Sequence, residues 1–109
     1  MNFNVLTTKL FERKLKQLAK KYNSITDDLD ALEKELAKNP TLGIPLGKDC
    51  YKIRMAITSK GQGKSSGARI ITYIRVLKNT VYLMDIYDKS EQKNISDKEI
   101  RKAIDNFVE

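Results

Sequence analysis

Lys52 and Arg54 stand two residues apart in a stretch, Cys50 to Ile57, whose apolar residues recur at every second position. On a strand that spacing puts both cations on one face, about 7 Å apart. A small core does not take in unpaired cations, because their desolvation costs too much. The face is therefore open to water or to an anion. Phosphates along a nucleic-acid backbone match the spacing; an exposed sheet face with incidental charge is the plainer alternative. Arg69 and Arg75 share a face of the next apolar stretch with Ile71 and Tyr73. Arg69 directly follows a glycine-rich segment, at a strand mouth expected to be open to solvent, where a guanidinium can grip a phosphate through two parallel hydrogen bonds. Arg75 lies nearer the far end, as a further backbone contact or a snorkelling side chain.

The segment between these stretches, Ser59 to Gly67, holds three glycines, three serines and the cations Lys60 and Lys64, with no apolar residue. It is not a nucleotide-binding phosphate loop. Thr58 stands where the first glycine would have to be, and a strand rather than a helix follows. A flexible basic loop that tracks an RNA or DNA backbone, through Lys60 and Lys64, fits better. A fourth group closes the last apolar stretch: Tyr87-Asp88-Lys89-Ser90-Glu91-Gln92-Lys93-Asn94. It offers a phenol, an amine and a carboxylate, although an ordinary polar connection would look the same. The chain has no histidine, so acid–base work would fall to Tyr, Lys, Arg or Glu. The same absence excludes a Ser-His-Asp triad, a Cys-His pair and His-ligated zinc. The single cysteine, Cys50, excludes an intramolecular disulfide and a Cys-rich metal site.

The elements that must carry these groups follow from periodicity. Asn2 to Thr7 alternates weakly and predicts a short first strand. Phe11, Leu15, Leu18 and Tyr22 form one helical stripe, and Ile25, Leu29, Leu32 and Leu36 form a second at the same offsets. Ser24 or Thr26 can cap the second helix, Asp27 and Asp28 suit its dipole, and Asn39-Pro40 ends it. So short a connection predicts an antiparallel helical hairpin. Thr41 to Gly47, with Pro45 and two glycines, reads as a loop. Cys50–Ile57, Ala68–Leu77 and Val81–Tyr87 read as three strands of an antiparallel meander, the middle one apolar on both faces. Ser96 to Glu99 is a capping box that opens a last helix with Ile100, Ala103, Ile104 and Phe107 inward. The order β-α-α-β-β-β-α defines an α+β fold: an N-terminal helical hairpin packed on a small, mainly antiparallel sheet, with a C-terminal helix. At 109 residues the chain, 1–109, reads as a single domain.

Charge points to a polyanionic partner. Lys and Arg number 21 against 14 acids, a net charge of +7. Residues 41–82 carry eight cations and one acid, Asp49. The longest run without charge is nine residues, Asn39 to Gly47, far too short to span a membrane. No export signal is visible at the start, and with no disulfide the expected location is the cytoplasm.

Three runs together carry a resemblance: Cys50-Tyr51-Lys52-Ile53-Arg54, Gly67-Ala68-Arg69-Ile70-Ile71-Thr72-Tyr73, and Val81 through Tyr87-Asp88-Lys89-Ser90-Glu91-Gln92. With the order of elements they resemble the RelE/ParE superfamily of toxin–antitoxin toxins, and the closing Tyr-x-Lys-x-Glu-Gln is most similar to its HigB-like branch. The resemblance implies a RelE-like fold and a small ribonuclease that uses no metal or cofactor and cuts mRNA in the ribosomal A site. The ribose 2′-hydroxyl would attack the adjacent phosphate. By this analogy Arg54 and Arg69 hold the scissile phosphate, Lys52 is a base or charge stabiliser, and Tyr87, Lys89 and Glu91 sit beside them. The HigB type uses histidines that this chain lacks, so proton transfer would fall to Tyr87, Lys89 or Glu91. The superfamily also implies a cognate antitoxin, with a complex that binds operator DNA. The alternatives are a ParE-like inhibitor of DNA gyrase and a non-catalytic nucleic-acid-binding module.

Overall fold

A computed structural model describes residues 2–92 and 95–107, the side chains of 97, 106 and 107 apart. Strand β1 (Asn4–Thr7) leads into α1 (Lys9–Lys21), and α2 (Ile25–Lys38) follows after a short turn. Thr8 caps α1, its hydroxyl accepting from the Phe11 N–H at 3.1 Å. Both stripes bury as the spacing predicts: Phe11 and Leu18 from α1, and Ile25, Leu29, Leu32 and Leu36 from α2. Neither expected cap of α2 is made. Ser24 stands at the N-cap position, but its hydroxyl donates to the Asp28 carboxylate and accepts from the Ser59 N–H. Asp28 also accepts from the Thr58 N–H and hydroxyl. The start of α2 is thus tied to a distant loop rather than to itself.

The chain then forms β2 (Ile44–Gly47), β3 (Cys50–Met55), β4 (Ala68–Arg75) and β5 (Thr80–Asp88). The sheet order is β1-β5-β4-β3-β2, with β1 parallel to β5 and every other pair antiparallel. The antiparallel meander is as predicted. Strand β2 is not: a loop is expected there, because Pro45 and two glycines hide it. It is an edge strand, where proline is tolerated since no ladder bond is lost on the open side. It joins β3 through Lys48 and Asp49, with φ of 54° and 64°, the left-handed pair that a two-residue hairpin turn requires.

The helix α3 (Asp97–Phe107) begins at the expected box: the Glu99 N–H donates to the Ser96 hydroxyl, which donates to the Glu99 carboxylate. The two faces of the sheet bury different partners. The helical hairpin packs on Ile53, Met55, Ile70, Ile74, Val81, Leu83 and Ile86. On the other face Ile95, Ile100, Ala103 and Ile104 pack on Cys50, Ile71, Met84 and Tyr87. Phe107, expected inward, has its side chain outside the described residues. Among the described residues no helix is long and apolar enough to cross a membrane.

Candidate active site

Pairing between strands sets the geometry of the site. Arg54 of β3 stands directly opposite Arg69 of β4, and Arg69 directly opposite Tyr87 of β5. Residues so paired lie about 5 Å apart between Cβ atoms. Two guanidiniums and a phenol therefore form one row across the three central strands, on the face that α3 partly covers. Lys52 lies two pairs further along β3, on the same face, opposite Ile71. Among the described residues no carboxylate forms an ion pair with Arg54 or Arg69.

The row runs from solvent into the protein. Arg54 is exposed, Arg69 only 4% exposed and Tyr87 5%. The open strand mouth expected for Arg69 is in fact roofed by the loop before it. Its guanidinium donates to the carbonyls of Lys64 at 2.9 Å, Ser65 at 3.0 Å and Ala68 at 3.2 Å. A guanidinium has five N–H donors, and these carbonyls take three of them. Burial, and then the neighbouring Arg54, lower the Arg69 pKa, while Tyr87 opposes them. The Tyr87 hydroxyl is buried with no hydrogen-bond partner among the described residues. Burial raises its pKa above the ordinary phenol value; Asp85 and Glu99 add to this and Arg69 works against it. Tyr87 thus stands as a phenol enclosed at the inner end of the row.

Lys64 is exposed, and with Lys52 and Arg54 it lines a groove of about 520 Å³ along β3; Asp28 and Glu35 of α2 line the same groove. The remaining candidates are placed elsewhere. The Lys60 ammonium, expected to follow an RNA backbone, is turned inward: its side chain is 12% exposed and meets Asp88 at 2.8 Å, the Ser66 carbonyl at 2.7 Å and the Ser90 hydroxyl at 3.2 Å. Glu91 pairs with Lys21 at the end of α1. Arg75 lies opposite Thr80 at the far end of β4, six residues or about 20 Å along the strand from Arg69. Lys89 is half-buried, and its backbone N–H donates to the Gly67 carbonyl at 3.0 Å. Lys93 and Asn94, the end of the Tyr87–Asn94 run, lie outside the described residues. The Cys50 thiol is buried, and burial raises its pKa to about 11, so it is inert.

Asp88 is the polar residue that the sequence does not single out. Its side chain has no exposed surface and accepts from Lys60, Tyr22 and Ser90. No local pattern reveals it, since its partners come from three separate segments. Gly67 shows why the loop must enter β4 through a glycine: a Cβ there would stand 2.2 Å from the Met55 carbonyl oxygen.

The protein is a basic, histidine-free α+β domain with two guanidiniums and a phenol aligned on one sheet face, an arrangement suited to an anionic ligand. The sequence model for the RelE toxin of the RelE / RelB toxin–antitoxin system matches residues 3–106, and the chain belongs to this family. As a family RelE toxins are ribosome-dependent mRNA endoribonucleases. The fold is similar to that of a double arginine-to-alanine mutant of E. coli RelE in the free state, with a TM-score of 0.66, 15% identity, and 99% of this chain and 100% of that one covered. It is similar to the intact E. coli RelBE toxin–antitoxin complex (0.61, 18%, covering 79% and 95%) and to a metal-bound toxin from Helicobacter pylori (0.52, 20%, covering 83% and 98%). At these identities the likeness concerns the fold. The HigB-like branch rests on the Tyr87–Gln92 motif alone.

Proposed function

We propose that this protein is the toxin of a type II toxin–antitoxin pair and that it cuts mRNA held in the ribosomal A site. The observation that carries the reading is the Arg54–Arg69–Tyr87 row, with no carboxylate paired to either guanidinium among the described residues. The 2′-oxygen attacks the adjacent phosphorus, a 2′,3′-cyclic phosphate forms and the bond to the 5′-oxygen breaks. Arg54 and Arg69 bind the non-bridging oxygens, where charge builds in the transition state. The Tyr87 phenol donates its proton to the departing 5′-oxygen, giving a 5′-hydroxyl. Lys52 stands two residues along the same face of β3, where its amine takes the 2′-hydroxyl proton and the ammonium so formed stabilises the developing charge. Lys64 guides the backbone into the groove. No cofactor enters these steps. The cognate antitoxin masks this cationic face, and the complex represses its operon by binding operator DNA. The site of action is the cytoplasm.

The test is a reconstituted translation reaction with programmed ribosomes and end-mapped mRNA. The wild type should cut at A-site codons, and Arg69→Ala should not. An intact message together with inhibited supercoiling by purified gyrase would overturn this reading in favour of a ParE-like activity.

A further inference from the structure

The ion pair between Lys60 and Asp88 has no part in the chemistry above, yet it is the most enclosed charge pair among the described residues. Lys60 spends all three ammonium donors inside the protein: on Asp88 Oδ1, on the Ser66 carbonyl and on the Ser90 hydroxyl. It also lies 5.3 Å from the centre of the Tyr22 ring. Asp88 is equally committed. Its Oδ1 accepts from Lys60, the Ser90 hydroxyl and the Ser90 N–H, and its Oδ2 from the Tyr22 hydroxyl at 2.6 Å. The cluster joins the end of α1, the glycine-rich loop and the end of β5 at one point.

What the cluster holds is the turn that holds Arg69. Lys60 fixes the Ser66 carbonyl, and the Lys89 N–H fixes the Gly67 carbonyl. The two preceding carbonyls, of Lys64 and Ser65, receive the Arg69 guanidinium. A buried ion pair adds little net stability compared with an apolar pair of similar size, because desolvation offsets the attraction. It does demand one geometry. We propose that Asp88, acting through Lys60, is a positioning residue that sets the glycine-rich loop and thereby aims Arg69 along the catalytic row. This rests on the proposed nuclease reading for its effect on rate, but not for its effect on Arg69 itself. A misplacement of about 1 Å in a catalytic group can cost on the order of 100-fold in rate.

The informative variant is the double substitution Lys60→Met with Asp88→Leu, which keeps the packing and removes both charges together. It avoids the unpaired buried charge that Asp88→Asn or Lys60→Met alone would leave, which lowers stability on its own and would blur a change in rate. Two readouts are taken on folded protein. One is steady-state cleavage of mRNA on programmed ribosomes, with Arg69→Ala as control. The other is solvent exchange of the 15N-labelled Arg69 guanidinium protons by NMR. The expected result is a kcat lowered about 10- to 100-fold at unchanged KM, with faster Arg69 exchange. A folded double variant with wild-type kcat, or with unchanged Arg69 exchange, overturns the proposal. Should the wild type itself fail to cleave, the nuclease reading falls, and Arg69 exchange alone decides the positioning claim.

Discussion

Tyr87 separates stability from chemistry at a single atom. Its hydroxyl is buried without a partner among the described residues, a state that costs about 1–3 kcal/mol. Tyr87→Phe removes that oxygen and keeps the ring. Urea unfolding should show stability unchanged or raised by about 1 kcal/mol, while single-turnover cleavage falls roughly 10²- to 10⁴-fold, as when a general acid is lost. A gain in stability without loss of rate would remove Tyr87 from the mechanism. Asp88 makes a prediction about pH. Burial alone would push its carboxyl up, but the hydrogen bonds from Lys60, Tyr22 and Ser90 outweigh burial and hold it well below the usual carboxylate range. A carboxylate with a depressed folded pKa contributes stability that is complete above its unfolded value, about 3.9, and is lost as pH falls through the folded value. The stability gap between wild type and Asp88→Asn should therefore be widest above about pH 4 and narrow toward pH 2, measured by urea unfolding at each pH.

At the scale of the element, each piece of the site depends on something outside itself. The β2–β3 hairpin turns through Lys48 and Asp49, both in the left-handed region without being glycine. That conformation costs roughly 1 kcal/mol or more for an ordinary residue. Replacing the pair with Asn-Gly, the preferred residues for this turn, should raise stability by about 1 kcal/mol in thermal or urea unfolding and leave cleavage unchanged. The helical hairpin supports the sheet from behind the site. Leu36 of α2 is wholly buried against it, so Leu36→Ala should cost about 2–5 kcal/mol. Folded Leu36→Ala should keep its turnover number, because Leu36 packs in the core on the sheet face opposite Tyr87.

Over the whole molecule, the governing quantity is where the charge lies. The block of residues 41–82, with eight cations and one acid, folds into β2, β3, β4 and the two connections between them and on to β5. Of these cations Lys52, Arg54 and Lys64 collect on one groove, Lys60 turns inward, and Arg75 stays at the far end of β4. An interface held by such a field is screened by salt, with a Debye length near 10 Å at 0.1 M. Raising ionic strength from about 50 to about 200 mM should slow association with ribosomes at least roughly tenfold, while the rate of the bound complex stays nearly constant. Stopped-flow binding and single-turnover cleavage measure the two separately.

Periodicity alone determined much of this protein. Amphipathic spacing put Leu29, Leu32 and Leu36 on a helix, and alternation put Lys52 and Arg54 on one face of β3, because hydrophobic burial repeats with the geometry of each element. The capping box at Ser96 was legible for the same local reason. Strand β2 was not, since Pro45 and the glycines suppress the local signal and only pairing with β3 makes it a strand. Register, a property of two strands at once, aligned Arg54, Arg69 and Tyr87. Tertiary contacts alone decided that Lys60 belongs to Asp88, 28 residues away, and Glu91 to Lys21, 70 residues away. A lysine in a loop looks the same in sequence whether it meets a phosphate or a buried carboxylate. Only the folded chain, by removing water from one of them, settles which charge it must answer.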